Sequence, residues 1–440
     1  MTREPTAVLP ANLDPRFQNR ERQPGLDLLR ALAIIVVVIY HAGIMGFPLP
    51  GRVHRWGWIG VDLFFVLSGY LIGGQLLAEL GRNKGLNLGR FYARRALRIM
   101  PAYFVILSIY FLLPSWREYP GMAQPLWKFL LSVQNVALHG GTAFSHAWSL
   151  AVEDQFYLAL PFILLVLFWR PRGTIILSCV IVVGGVLLRA FLASQNATNT
   201  GVSFRGFQAW IYYPTWTRLD PLVFGVVIAS IERFRPQFWQ RLTNSAIWLW
   251  LPALALIVYA LWLGETEYIN FNACVWQFLL LAIGMTALLI CALSPRLPLR
   301  CVAIPGAAFI ASIAYSAYLV QKLAIHGMAE FCRVHGVDPK SAPAIMGVEL
   351  CVYAAATILF FTIERPFLQL GPCNRFTQKR PNDSDPTAHF AFVLQIRLTE
   401  FRGQISLLAK DDAVVKDHGE RDDKQQRNPV VKKKAECDLQ

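Results

Sequence analysis

Two polar residues bracket the first long apolar stretch of the chain and are its first candidates for chemistry. Arg30 and His41 enclose a run that is almost entirely aliphatic. On a helix this spacing places the two side chains within about 20° of one face, with about 16 Å of rise between them. Because an ionisable group inside a membrane span is costly to bury, His41 is predicted to be catalytic or ligand-binding. The alternative is a hydrogen-bonded packing histidine.

Two carboxylates lie near the starts of later apolar stretches. Asp62 is in the second stretch and Glu153 is in the fourth. A neutral histidine can accept a proton from a hydroxyl group, and a carboxylate on its second nitrogen fixes the tautomer and stabilises the imidazolium ion. His41, Glu153 and Asp62 are therefore the predicted catalytic residues. Asp62 has a simpler alternative, since it can cap its helix or pair with an arginine of an outer loop.

Three arginines form a second candidate set. Arg95 and Arg98 are one helical turn apart at the start of the third apolar stretch, and Arg30 is at the start of the first. Guanidinium groups suit phosphate and pyrophosphate, which favours an anion site. The alternative is a topology signal that also contacts anionic lipid headgroups. Other charged neighbours at the ends of apolar stretches are interpreted as simple ion pairs: Arg218 with Asp220, and Glu364 with Arg365.

The composition indicates a membrane protein. Of the 440 residues 55% are hydrophobic and 16% are charged, and the mean hydropathy is +0.40, which is too apolar for a soluble protein of this length. The net charge of +14 does not indicate a nucleic-acid partner, because the basic residues are scattered between apolar stretches. The cysteines contain no C-x-x-C pair, so neither a disulfide framework nor a metal site is predicted.

The elements that must position these residues are membrane-spanning helices. At about 20 apolar residues per span, the sequence predicts an all-α polytopic integral membrane protein with about ten transmembrane helices. They are expected near residues 27–47, 58–80, 98–114, 148–169, 173–193, 217–232, 246–264, 271–293, 303–322 and 345–365. The first run is too long for a removable signal peptide and lacks a small-residue cleavage site, so it is expected to remain as a span.

Charge asymmetry between loops predicts the orientation. With a cytoplasmic N-terminus, Lys and Arg are more frequent in the inner loops than in the outer ones, which predicts that both termini are cytoplasmic. This topology places His41, Asp62 and Glu153 in a common outer layer. The longest outer loop, 115–147, contains an apolar segment at 125–138 that is predicted to be an interfacial or re-entrant helix.

The predicted domain organisation has three parts. Residues 1–25 form a cytoplasmic N-terminal segment, and residues 26–370 form the transmembrane domain. Residues 371–440 are charged and polar, which predicts a cytoplasmic tail that is largely disordered. Within this tail, residues 389–409 keep some apolar character and are a candidate membrane-surface helix.

Taken in order, these stretches resemble the membrane-bound acyltransferase-3 family, which includes sugar O-acyltransferases of bacterial envelopes. The resemblance covers about residues 22–370. It rests on five motifs: R-x10-H from Arg30 to His41, the second-helix signature from Gly60 to Leu71, R-x-x-R from Arg95 to Arg98, S-x-x-x-E from Ser149 to Glu153, and E-x-P-F from Glu364 to Phe367.

The resemblance implies ten core helices in a multi-pass protein of the bacterial inner membrane. It also implies an O-acyltransferase that moves an acyl group, taken to be acetyl, from cytoplasmic acyl-CoA to a hydroxyl of a glycan or glycolipid at the outer face. Acetyl-CoA is then a co-substrate, and no permanently bound cofactor is expected. His41 would be the central catalytic residue, and the three inner arginines would bind the coenzyme.

The substrate-binding candidates are Ser68, Tyr70 and Ser149 from these motifs and Tyr315 from a further family-like stretch, Tyr315 to Gln321. On spacing alone, the two serines are instead interpreted as helix-packing residues. After the tyrosine pair that ends at Tyr318, the family commonly has a histidine where this chain has Gln321. Glutamine can form hydrogen bonds but cannot titrate, which questions any proton role at this position.

His326, about one turn further along, is the alternative titratable group. The chain is also expected to lack the fused outer esterase-like domain of some relatives. The sequence does not indicate the oligomeric state.

A proton-coupled secondary transporter or exporter is the alternative function, because such proteins also use intramembrane His, Asp and Glu as proton relays. The inner arginines combined with the R-x10-H helix favour the enzyme, since a proton relay does not require an arginine cluster. A membrane scaffold is disfavoured because it leaves His41 without a role.

Overall fold

The computed structural model describes residues 23–49, 53–82, 85–119, 123–167, 171–199, 201–264, 269–300 and 303–370. The predictions for residues 1–22, for the C-terminal tail 371–440 and for its candidate helix at 389–409 lie outside the described residues.

The described residues fold almost entirely into helices, which confirms the predicted all-α class. The α-helices are α1 Pro24–Ile44, α2 Val53–Trp56, α3 Gly60–Leu80, α4 Leu88–Leu112, α5 Leu126–Leu130, α6 Trp148–Leu167, α7 Pro171–Gln195, α8 Phe204–Gly206, α9 Asp220–Phe234, α10 Pro236–Asn244, α11 Ala246–Leu263, α12 Phe271–Leu293, α13 Ala307–His335, α14 Ala342–Leu359 and α15 Arg365–Gln369. A short antiparallel hairpin joins β1 Ala197–Thr198 to β2 Gly201–Val202.

Nine helical segments of the described residues are long and apolar enough to cross a membrane, which confirms a polytopic membrane protein. The remaining predicted span, near 217–232, corresponds to α9, which has 15 residues and is shorter than the about 20 residues that a bilayer requires. α9 is nevertheless packed along the full-length span α3. The cytoplasmic location of both termini stays a prediction.

Two helices extend well beyond the predicted spans. α4 begins ten residues earlier than predicted, at Leu88, where the Asn87 side chain accepts a hydrogen bond of 2.8 Å from the Arg90 backbone N–H. α13 runs on to His335 and ends at Gly336, which has a φ of 66°. Searching for apolar segments misses such turns, because their polar residues continue the helix beyond the hydrocarbon layer.

Two closely packed helix pairs flank the region that holds the predicted site. α3 packs along α9, and α1 packs along α13. At the first of these crossings, a Cβ on Gly69 would collide with the Leu222 carbonyl oxygen, and one on Gly225 with the Val66 carbonyl oxygen. Glycine at both positions lets the two backbones approach closely, as is common between membrane helices.

The loop before α6, which was predicted to be an outer loop, is folded into the protein. Only Leu126–Leu130 of the predicted helix at 125–138 is helical, so the prediction of a helix over the whole segment was wrong. The rest forms turns that are stabilised by buried amide side chains: the Gln134 side chain donates to the Ala147 carbonyl at 2.9 Å, and the Asn135 side chain to the Tyr213 carbonyl at 3.2 Å. Buried irregular backbone needs such partners.

Candidate active site

A cavity of about 320 Å³ lies between α1, α3, α4, α6 and α13. All three predicted anion-binding arginines, Arg30, Arg95 and Arg98, contribute to its lining. Ser68, Ser149, Glu153 and Tyr315 line it as well. The structure therefore brings seven of the ten predicted site residues to one cavity. His41, Asp62 and Tyr70 are outside this lining.

The arginines define the basic end of the cavity. Arg95 donates a hydrogen bond to the Gln75 side chain at 3.4 Å, and its guanidinium lies 5.3 Å from the centre of the Tyr157 ring. Arg30 lies 3.8 Å from the carboxylate of Asp27. Three guanidinium groups at one end of a cavity match a ligand that carries several phosphates. The early start of α4 places two of them there.

A hydrogen-bonded group of side chains lies midway along the cavity. Tyr157 donates to Glu153 at 2.8 Å, and its hydroxyl is also hydrogen-bonded to the hydroxyl of Ser68. Through Tyr157, Glu153 is thus connected to Arg95. Among the described residues, no hydrogen bond joins Glu153 to His41, so the predicted contact between these two residues is absent.

The opposite end of the cavity is formed by Ser149 and Tyr318. Their hydroxyl groups are 2.6 Å apart, and the Tyr318 hydroxyl also lies 2.6 Å from the His146 carbonyl oxygen. Tyr315 lines the cavity one turn nearer the arginines and donates to the Ile99 carbonyl at 2.8 Å. The wall at this end is therefore held in place by hydrogen bonds on both sides of Tyr318.

His41 is outside the cavity lining and is 8% exposed. Its Nδ1 is 3.1 Å from the Val37 carbonyl oxygen and 3.2 Å from the Gln321 side-chain oxygen, and the Gln321 amide donates to the Tyr318 carbonyl at 3.0 Å. Both neighbours of Nδ1 are acceptors, so this nitrogen carries the hydrogen. Nε2 therefore holds the lone pair and can act as a base.

Two buried residues near His41 were missed by the sequence reasoning. The His146 ring centre is 5.9 Å from that of His41, and its Nε2 is 3.3 Å from the Leu319 carbonyl oxygen. Lys322 donates to the Ser145 hydroxyl at 2.9 Å and lies 3.5 Å from a Glu118 oxygen. Lys322 was at the end of a predicted span, but it lies mid-helix in α13. A lysine in the middle of a span is itself a signal of function.

Asp62 belongs to a different cluster from His41. It accepts a 2.9 Å hydrogen bond from Arg218, and both side chains are fully buried. The predicted partnership with His41 is thus replaced by the alternative, an ion pair with an arginine, because a buried carboxylate needs a cation. The predicted pair of Arg218 with Asp220 was wrong, since Asp220 pairs with Arg189 at 2.6 Å.

Two further predictions are corrected. Tyr70 points to α9, where its hydroxyl donates to Glu232 at 2.6 Å, and it does not line the cavity. Glu364 accepts a 2.7 Å hydrogen bond from Ser316. Arg365, its predicted partner, lies 5.3 Å from the Phe361 ring centre. Glu232 and Glu364 therefore each connect two neighbouring helical segments at the edges of the site.

The fold and the site define a polytopic helical membrane protein with an internal cavity that runs from a basic end towards a buried histidine. Residues 23–364 match a family model that is described as an acyltransferase domain. The chain belongs to this acyltransferase-3 family, as the motifs indicated.

The chain is also similar to curated relatives over about half of its length. The peptidoglycan O-acetyltransferase OatA of Listeria monocytogenes is 33% identical over 233 residues, which cover 49% of this chain and 35% of the relative. The O-acetyltransferase OatA of Staphylococcus aureus is 30% identical over 226 residues, which cover 47% and 34%. The chain thus spans about a third of the length of these relatives. No solved structure matches it.

Proposed function

We propose that this protein transfers an acetyl group from cytoplasmic acetyl-CoA to a hydroxyl of a carbohydrate or glycoconjugate at the outer face of the bacterial inner membrane. The observation that carries the proposal is a cavity with three arginines at one end and a wall at the other end against which His41 lies. Such an arrangement suits an elongated donor with phosphates at one end and a reactive group at the other.

The proposed binding position of the donor follows from its negative charges. Arg30, Arg95 and Arg98 would bind the phosphates of the coenzyme, and the cavity beyond them would take the pantetheine arm. The relatives are named for O-acetyl transfer, and one of them for peptidoglycan, which supports an acetyl group and a glycan acceptor.

The reaction needs a base at the acceptor hydroxyl. Nε2 of His41 would take the hydroxyl proton while the oxygen attacks the thioester carbonyl. The carbon–sulfur bond then breaks, and the thiolate of the coenzyme takes up the proton from the imidazolium. Gln321 keeps the hydrogen of His41 on Nδ1. Tyr318 lines the cavity, and its carbonyl accepts from the Gln321 amide that also contacts His41, so the histidine is next to the end of the cavity where the thioester would lie.

The proposal is tested with His41→Ala. In membrane vesicles supplied with radiolabelled acetyl-CoA, transfer of label into the envelope polysaccharide fraction should fall at least about 100-fold, since general base catalysis contributes about 10²–10⁴-fold. The purified variant should keep its protection against heat by acetyl-CoA, because the arginines are intact. His335→Ala, at the exposed end of α13, is the matched control and should retain transfer.

Two results would contradict the proposal. Unchanged transfer by the His41 variant would exclude the histidine as the base. Absence of heat protection of the wild-type protein at millimolar acetyl-CoA would exclude the donor and favour a transporter, which family membership otherwise disfavours.

A further inference from the structure

The end of the cavity that faces away from the arginines is small and mostly apolar. On α3, α6 and α13, the lining residues furthest from the arginines are Val61, Ser149 and Tyr318, with Phe65 and Leu150 beside them. The two hydroxyl groups of this end are bonded to each other. The surface that remains for a ligand is therefore hydrocarbon, which suits the alkyl part of an acyl group.

Tyr318 is held in place by hydrogen bonds to both its side chain and its backbone. Its hydroxyl lies 2.6 Å both from the Ser149 hydroxyl and from the His146 carbonyl oxygen, and its own carbonyl accepts from the Gln321 amide at 3.0 Å. The side chain is 6% exposed. A ligand that extends into the space occupied by the Tyr318 ring has to displace the ring and break these hydrogen bonds.

We propose that Tyr318, held by Ser149, determines the length of the acyl group that the enzyme accepts and restricts the donor to short acyl chains. This inference rests on the proposed function, because it takes acyl-CoA as the donor. The arginines fix the phosphate end of the donor, so the thioester lies at a set distance from them. Every methylene added beyond acetyl then extends towards the Tyr318 ring.

The position of Tyr318 at the far end of the cavity predicts that short acyl chains are preferred over long ones. A longer acyl chain has either to displace the hydrogen-bonded ring or to pull the phosphates away from the arginines. In either case a longer acyl chain weakens binding through its contact with the Tyr318 ring, and not through the contacts of the pantetheine arm. A difference of one methylene in a closed apolar pocket is worth about 10–200-fold in kcat/KM, so discrimination should increase steeply from acetyl to butyryl.

The wild-type protein gives the first test. Transfer of the acyl group from acetyl-, propionyl-, butyryl- and hexanoyl-CoA into the envelope polysaccharide fraction should show a fall in kcat/KM of at least about 10-fold between acetyl and butyryl. Equal kcat/KM values across the series would overturn the inference while leaving acyl transfer itself intact. Failure of every donor would instead overturn the proposed function.

The second test removes the Tyr318 ring from the end of the cavity. Tyr318→Leu keeps an apolar side chain but removes the ring and its hydroxyl, so the ratio of kcat/KM for butyryl-CoA to that for acetyl-CoA should rise at least about 10-fold. Heat protection by hexanoyl-CoA relative to acetyl-CoA should increase in the same variant, and this readout remains valid if transfer is slow.

Tyr315→Leu is the matched control. It removes the same atoms from the same helix and the same cavity, but one turn nearer the arginines. Its overall rate can change, but its ratio of kcat/KM for butyryl-CoA to that for acetyl-CoA should stay within about threefold of the wild-type ratio. One methylene at the Tyr318 wall is expected to change this ratio by at least about 10-fold. A ratio that rises equally in both variants, or in neither, would show that Tyr318 does not set acyl length.

Discussion

His41 is oriented by an amide and not by a carboxylate. The Gln321 side chain is fully buried and presents its oxygen to Nδ1 of His41. It cannot titrate, but it fixes the tautomer, which is the part of the task that keeps Nε2 available as a base. The sequence singled out this glutamine as a departure from the pattern expected for the family, and the structure places its side chain next to the histidine.

A buried ion pair secures the loop before α6 next to His41. Lys322 and Glu118 lie 3.5 Å apart with side chains that are 6% and 2% exposed, and Glu118 also accepts from the Phe144 backbone N–H at 3.2 Å. The loop segment held in this way carries His146. Removal of one charge would leave the other buried without a counter-ion.

Glu118→Gln should destabilise the protein by about 3–5 kcal/mol, the usual cost of breaking a buried pair. The double variant Glu118→Gln with Lys322→Met should recover much of this loss, because it leaves no unpaired charge. Thermal unfolding of the protein in detergent measures both. Glu330→Gln, which breaks the exposed pair with Arg333, is the control and should have no measurable effect. Equal stability of the Glu118 variant and the wild type would contradict this account.

α3 carries two functions on opposite faces. Ser68 and Gln75 line the cavity, whereas Gly69 and Tyr70 face α9. The close crossing with α9 therefore sets where the cavity face of α3 lies. The short length of α9 does not weaken this contact, because the crossing lies within it, at Leu222 and Gly225.

Gly69→Ala should destabilise the protein by about 1–3 kcal/mol, as overpacking does when the opposing atom is backbone. Gly327→Ala on α13 is the matched control, since no atom lies within 4 Å of a Cβ there. This control should be neutral or slightly stabilising, because alanine is the better helix former. Thermal unfolding of both variants is the measurement. A Gly69 variant as stable as the control would show that the crossing can relax.

Across the whole molecule, Arg30 and His41 belong to two different environments. Arg30 lines the cavity at its basic end, and His41 lies beyond the wall at its other end. Ser149 and Tyr318 form the end of the cavity that is nearer to His41.

The predicted orientation can be tested with two exposed loop positions. Arg296→Cys lies between α12 and α13, and Asp338→Cys lies between α13 and α14. With cytoplasmic termini, a membrane-impermeant maleimide should label the cysteine at position 338 in intact spheroplasts. The cysteine at position 296 should react only after permeabilisation. Both are compared with the labelling of the unsubstituted protein, and the reverse pattern would contradict the predicted orientation.

Much of the fold follows from local sequence. The span at 271–293 agrees with α12 to the residue, because an apolar run with polar ends specifies a membrane helix by itself. The extended start of α4 and the long α13 were not predictable from hydropathy, since their end turns are polar. The inserted loop before α6 was also missed, because burial of its turns depends on amide side chains that bond to distant backbone.

The sequence by itself determined the helical membrane class and the family motifs, and it singled out His41, Arg30, Arg95 and Arg98 as candidate site residues, because apolar length and costly intramembrane charges are local properties. Only the tertiary structure decided which groups meet. It paired Asp62 with Arg218, brought Gln321, His146 and Lys322 to His41, and linked His41 through Gln321 to Tyr318, which lines the cavity. Helices distant in sequence supply these contacts, and buried charges and hydrogen-bonding groups select their partners in three dimensions.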